Sequence, residues 1–121
     1  MNNNIIAAEN YYKAMLAKDF EKMASYLHES VTLISPLAEI HDKDVVVSAA
    51  KGLAEILQNI IFRSKFTMNN QIMFAYDFIF PEPIGKLRSA VLMDFTDSLI
   101  SRIELFYDAR PFIEKKIFER E

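Results

Sequence analysis

The amino-acid sequence predicts an α+β fold with helices in the first half of the chain and a meander of antiparallel strands in the second. Three observations carry this expectation. Apolar residues recur at three- and four-residue steps up to about position 60, the pattern then changes to strand-like runs, and Asn69-Asn70 and Asp97-Ser98 supply turn residues between those runs.

The elements follow in order. Over residues 5–17, Ile5, Ala8, Tyr12 and Met15 share one helical face. Asp19 can cap a second helix by accepting from free backbone N–H groups, with Phe20, Met23, Ala24 and Leu27 as its apolar stripe. The β-branched run 31–34 reads as a strand stopped by Ser35-Pro36, because the residue before proline is pushed towards extended geometry. A loop over 37–41 leads to Asp42, the expected cap of a third helix over 43–60 with Val46, Ala49, Leu53, Ile56 and Ile60 in phase. Strands are expected at 61–68, 71–80, 87–96 and 101–108, with the 81–85 segment PEPIG as the middle turn. Arg110-Pro111 opens a short last helix, with Phe112, Ile113 and Ile117 available to dock.

With 121 residues, 51% of them hydrophobic, the chain suits a single domain (1–121) able to bury a core. A net charge of −3 with interspersed signs offers no basic face, so neither nucleic acid nor a membrane surface is an expected partner. No cysteine is present, which removes disulfides and thiolate zinc sites; no helical histidine pair and no glycine-rich phosphate loop occur, so no metal or cofactor is expected. The first residues lack the basic region and continuous apolar run of a signal peptide, and the expected location is cytoplasmic.

Both faces of the strands at 71–80 and 87–96 are mostly apolar, whereas a half-solvated antiparallel strand alternates more cleanly. The helices can cover one face, which leaves a second copy of the chain as the expected cover for the outer one, with Val91 and Met93 in the interface. Asp94 stands out as a carboxylate inside the apolar run SAVLMDFT (89–96). Such a group needs a pairing partner, a proton or a wet strand end, and a bonded position beside Thr96 and Ser98 is the alternative to a pocket. If the 81–85 turn sets Phe80 opposite Lys86, then Ile72 faces Asp94, Phe74 faces Leu92 and Tyr76 faces Ala90, placing Asp94 on the aromatic inner face. Asp77 then lies outside that face as an exposed or rim charge.

The run YKAMLAKDF (12–20), the strand VTLISP (31–36) and the closing strand SRIELFYD (101–108) resemble the NTF2-like superfamily, which includes the SnoaL-like polyketide cyclases and the ketosteroid isomerases. The resemblance spans essentially the whole chain and implies a cystatin-like cone, a curved sheet wrapped around the N-terminal helices to leave a pocket, and dimerisation through the outer sheet face. Tyr12 matches the helix-1 tyrosine that donates to the substrate oxyanion in ketosteroid isomerases, and Asp94 matches the strand acid beside it. Ser35 stands where those isomerases carry their general base, and a serine without assistance is a poor base; His41 and Glu39 are other candidates in the following loop. Phe74, Tyr76, Leu92 and Ser35 are the expected ligand contacts.

Two functions follow, one from each class. In the first, the chain is a cofactor-independent isomerase- or cyclase-type domain with an apolar pocket, in which Asp94 and Tyr12 hold a phenolate or enolate-like ligand. In the second, it is a non-catalytic dimeric module binding an apolar molecule or a protein, with Tyr12 as a core tyrosine and His41 as a surface loop residue.

Overall fold

The computed structural model describes residues 3–114. Helix α1 (Asn3–Ala17) buries Ala8, Tyr11, Tyr12, Ala14 and Met15, of which Ala8, Tyr11, Tyr12 and Met15 stand at i, i+3, i+4 and i+7 on one face. A backward turn through Lys18, with φ +59°, leads to Asp19, whose carboxylate accepts from the Lys22 N–H at 3.3 Å and starts α2 (Phe20–Ser25). The second predicted cap also forms: Asp42 accepts from the N–H groups of Asp44 (2.9 Å) and Val45 (3.2 Å) and opens α3 (Lys43–Ile56). Lys18 ties the two helices together by donating to the Ala54 carbonyl at 2.6 Å. No helix among the described residues is long and apolar enough to cross a membrane.

The strands are β1 (Leu27–Ile34), β2 (Glu39–Ile40), β3 (Asn59–Met68), β4 (Gln71–Ile79), β5 (Lys86–Thr96) and β6 (Leu99–Tyr107). They form one curved, unclosed sheet in the order β2-β1-β6-β5-β4-β3, antiparallel except that β1 runs parallel to β6. A short helix, α4 (Arg110–Glu114), follows; Phe112 docks as expected, Ile113 is exposed, and Ile117 lies outside the described residues.

Several boundaries differ from the sequence expectation. The second helix ends at Ser25, so Leu27 and His28 belong to β1, where the His28 ring accepts from the Ser30 N–H. The third helix ends at Ile56 and Ile60 enters β3, since Leu57 turns to extended geometry and Gln58 donates to the Ile79 carbonyl at 2.8 Å. Within the expected loop at 37–41, Glu39 and Ile40 pair with Ile34 and Leu33.

The most consequential difference is the β4–β5 register. Lys86 pairs with Ile79 instead of Phe80, so Tyr76 faces Ser89, Phe74 faces Val91, Ile72 faces Met93 and Gln71 faces Asp94. Phe80 belongs to the connection: its N–H bonds the Gly85 carbonyl at 2.9 Å, and Gly85 holds φ +66°, a conformation open to glycine. A shift of one residue exchanges the faces of the whole strand. Leu87, Val91, Met93 and Phe95 thereby enter the core, while Ala90, Leu92 and Asp94 face outward. Three large apolar side chains buried in place of Ala90, Leu92 and a carboxylate is the arrangement that hydrophobic burial and charge hydration both favour.

The inner face carries a chain of aromatic rings. Phe62, Phe74, Tyr76, Phe78, Phe80 and Phe112 meet in succession at centroid separations of 5.1, 6.4, 4.7, 6.0 and 5.6 Å. On the outer face an extra residue in β3 between Phe62 and Ser64 lets Arg63 reach Asp77, with Nε 3.1 Å from the carboxylate. Asp77 is on the outer face as expected but is buried, 5% exposed, instead of open to water. Arg63 supplies the ion-pair partner that a buried carboxylate needs.

The register makes a direct prediction about stability. Met93→Ala removes a fully buried side chain and is expected to cost about 2–5 kcal/mol, whereas Asp94→Asn is expected to change stability by less than about 0.5 kcal/mol. Urea unfolding of the two variants checks this; the reverse ranking would restore the other register.

Candidate functional site

A cavity of about 250 Å³ lies between the helices and the inner face of the sheet. Helix α1 contributes Tyr11, Tyr12 and Met15, and α3 contributes Val46, Ala50 and Leu53. Phe78, Phe80 and Leu87 wall it from β4, β5 and their connection, and Leu105 and Tyr107 from β6. Leu37, Ala38 and Phe112 complete the rim. Phe112 is held there edge-on by the rings of Phe80 and Tyr107, at 5.6 and 5.8 Å.

Among the described residues the cavity wall contains no carboxylate, imidazole, ammonium or guanidinium; its polar side chains are those of Tyr11, Tyr12, Ser35 and Tyr107. Each is set by a local feature. Ser35 follows β1 and folds its hydroxyl back to accept from the N–H groups of Leu37 and Ala38, both at 3.2 Å, shaping the turn that forms the rim. Tyr107 ends β6, and burial raises its pKa, while the Ser35 hydroxyl, the other cause, lowers it. The Tyr12 hydroxyl is 2.7 Å from that of Tyr76. Burial is the first cause that raises both phenols, followed by the neighbouring tyrosine charge, Tyr11 for Tyr12 and Tyr12 for Tyr76. Tyr11 is raised by burial alone. All four phenols are therefore neutral at physiological pH.

The expected site residues divide into three groups. Tyr12 and Ser35 line the cavity. Phe74 and Tyr76 are buried on the inner face but lie beyond the cavity wall, packed with Tyr12 and Phe62. Asp94, Leu92 and His41 are elsewhere. Asp94 and Leu92 are on the outer face because of the register, and the Asp94 carboxylate accepts from Gln71 Nε2 at 2.9 Å. His41 is an exposed residue whose Nε2 is 3.0 Å from the Glu39 carboxylate. The Tyr12–Asp94 donor pair expected from the resemblance does not form: Tyr76 is the hydroxyl partner of Tyr12.

Two of the four polar lining residues, Tyr11 and Tyr107, are not among the expected site residues. Tyr11 completes the stripe begun by Ala8, and the three-residue step from Ala8 was the signal for it. Tyr107 lies in the closing strand and, once β6 is in register, falls on the face of Leu105 and Ile103.

No protein-family model matches the chain, and no curated protein matches it either. Solved structures do. An NTF2-like protein of unknown function from Cytophaga hutchinsonii superimposes with a TM-score of 0.79 at 14% identity, covering 91% of this chain and 94% of that one. A structure provisionally assigned as a ketosteroid isomerase, from Kribbella flavida, gives 0.77 at 15% identity over 88% and 78% of the two chains. TerC, co-crystallised with polyporic acid, gives 0.78 at 16% identity over 93% and 97%. The chain has the NTF2-like fold.

Two tests follow from the buried phenols. Tyr12→Phe leaves the Tyr76 hydroxyl without its partner and is expected to cost about 1–3 kcal/mol, while the double change with Tyr76→Phe recovers part of the loss, a coupling a double-mutant cycle reads. The raised phenol pKa values also fix a pH dependence. Above about pH 10 the unfolded chain loses phenolic protons that the folded chain retains, so stability is complete below that pH and falls as pH rises beyond it. Denaturation titrations from pH 8 upward check the sign.

Proposed function

We propose that the chain binds a small, predominantly apolar molecule in the cavity between α1, α3 and the inner sheet face. The observation that carries this reading is a wall almost entirely of hydrocarbon and aromatic side chains with a few hydroxyls. At about 250 Å³ the space exceeds the ~150 Å³ that admits benzene in an engineered cavity and falls below the ~300 Å³ at which drug-sized sites begin. A molecule of two fused or linked rings suits it. The fold shared with a provisionally assigned ketosteroid isomerase, and with a protein crystallised with polyporic acid, supports a ligand of this kind.

The isomerase and cyclase readings differ in what they need from the wall. Isomerisation by proton abstraction needs a base whose pKa is near the working pH, and the wall offers neutral phenols and a serine. Holding or folding a substrate by shape needs no such group. We therefore read the cavity as a binding site, with any cyclase-type activity limited to what confinement and hydroxyl donors supply.

We propose further that the outer sheet face pairs with a second copy of the chain. Phe66, Met68, Met73 and Phe106 lie exposed on that side, Phe66 opposite Met73. Charged residues border this apolar band, with Arg102 opposite Asp94 at one end and Arg88 opposite Asp77 at the other. Val91 and Met93, first expected in this interface, are core residues.

The neutral two-ring fluorophore 1-aminonaphthalene tests the binding reading. Saturable fluorescence enhancement is expected, with at least a tenfold loss of affinity in Ala50→Phe, which fills the cavity from α3; equal binding by a folded Ala50→Phe variant would overturn it. Sedimentation tests the pairing. A dimer at micromolar concentration that Met73→Asp converts to monomer is expected, and a monomeric parent chain would refute it.

A further inference from the structure

We propose that Tyr11 and Tyr107 determine the specificity of the cavity, and that its ligand is a neutral bicyclic molecule bearing carbonyl oxygens. The inference rests on the small-molecule reading above and adds the chemistry that the ligand must present.

Tyr11 is the first observation. Its side chain is buried, at 3% exposure, and its ring packs edge-on against Tyr12 at 5.1 Å. Among the described residues its hydroxyl has no hydrogen-bond partner, yet none of their fully occluded side-chain polar atoms lacks one. The hydroxyl therefore opens onto the cavity that Tyr11 lines. A phenol confined among hydrocarbon walls with an unmet O–H is a donor waiting for an acceptor, and a ligand oxygen removes that deficit.

Tyr107 is the second and is independent of the first. Two backbone N–H groups, from Leu37 and Ala38, occupy the acceptor side of the Ser35 hydroxyl. The hydroxyl in turn donates to the Ala38 carbonyl at 3.5 Å, which also accepts the Ser35 N–H at 2.8 Å. Tyr107 lines the cavity with Ser35, its ring set edge-on to Phe112 at 5.8 Å. As a neutral phenol on that wall it can donate its proton to a ligand oxygen.

The charge of the ligand follows from the rest of the wall. No cation lines the cavity among the described residues, so an anionic ligand would lose its hydration without a counter-charge. Neutral carbonyl oxygens accept from both phenols at no such cost.

Titrations followed by protein NMR with 1,4-naphthoquinone, naphthalene and 1-naphthoate separate the possibilities. The chain has no cysteine, which removes the principal group that a quinone would alkylate. The quinone is expected to bind about tenfold or more tightly than naphthalene, and 1-naphthoate more weakly than either. Tyr11→Phe and Tyr107→Phe should each weaken the quinone about three- to tenfold and leave naphthalene unchanged, which a loss of packing would not do. Equal binding of quinone and hydrocarbon overturns the assignment and leaves the binding reading standing. Failure of both to bind overturns the two together. A phenylalanine variant that binds the quinone like the parent chain removes that tyrosine from the assignment, and preference for the naphthoate refutes a neutral ligand.

Discussion

The pairing of Phe74 with Val91 and Ile72 with Met93 is the constraint on which the interior depends. Strand faces alternate residue by residue, so this register decides at once which half of β5 meets the helices. It buries Val91, Met93 and Phe95 in the core and sends Asp94 to the outer face with Gln71 and Arg102. It also places Phe80 beyond the paired strand, where it can meet Phe112 and wall the cavity. A slip of one residue would put a carboxylate among those rings and remove three large side chains from the core.

With Asp94 outside, hydroxyls take the polar roles inside the cone. Tyr12 and Tyr76 share one hydrogen bond at the cavity wall, and Tyr11 and Tyr107 are the other phenols that line it or its mouth. Ser35 has a structural task here, since it accepts two amide protons and fixes the turn at the rim. A cavity built in this way is suited to recognising shape and a few acceptor atoms. The same burial that keeps its phenols neutral disfavours charge separation, so the wall opposes chemistry that generates an unpaired ion.

Much of the fold is legible in the residues themselves. Asp19 and Asp42 announce helix starts because a short carboxylate can satisfy free N–H groups, and both do so. Asn69, Asp97 and Ser98 take positive φ in the turns where they were expected. The site was harder to read because it depends on long-range pairing. PEPIG can close a loop with either Phe80 or Ile79 as the last paired residue, and local turn chemistry does not choose between them. The choice comes from the combined volume of Val91, Met93 and Phe95, which is a property of the packed core. The parallel pairing of Leu33 with Ile103 is equally non-local, and it brings Ser35 to the end of the sheet that holds Tyr107. Ile60 shows a simpler ambiguity, since its apolar side chain continues the helical stripe of α3 and equally begins β3.

Under the proposed reading the inner cavity, and not the outer face carrying Asp94, receives the ligand. Isotope-filtered nuclear Overhauser measurements on the labelled protein with bound 1,4-naphthoquinone test this most directly, because the two faces carry different methyl groups. Contacts from the ligand to Met15, Leu53 and Leu105 are the predicted result. Contacts to Met73 and Leu92 in their place would contradict the account and return the site to the face of Asp94.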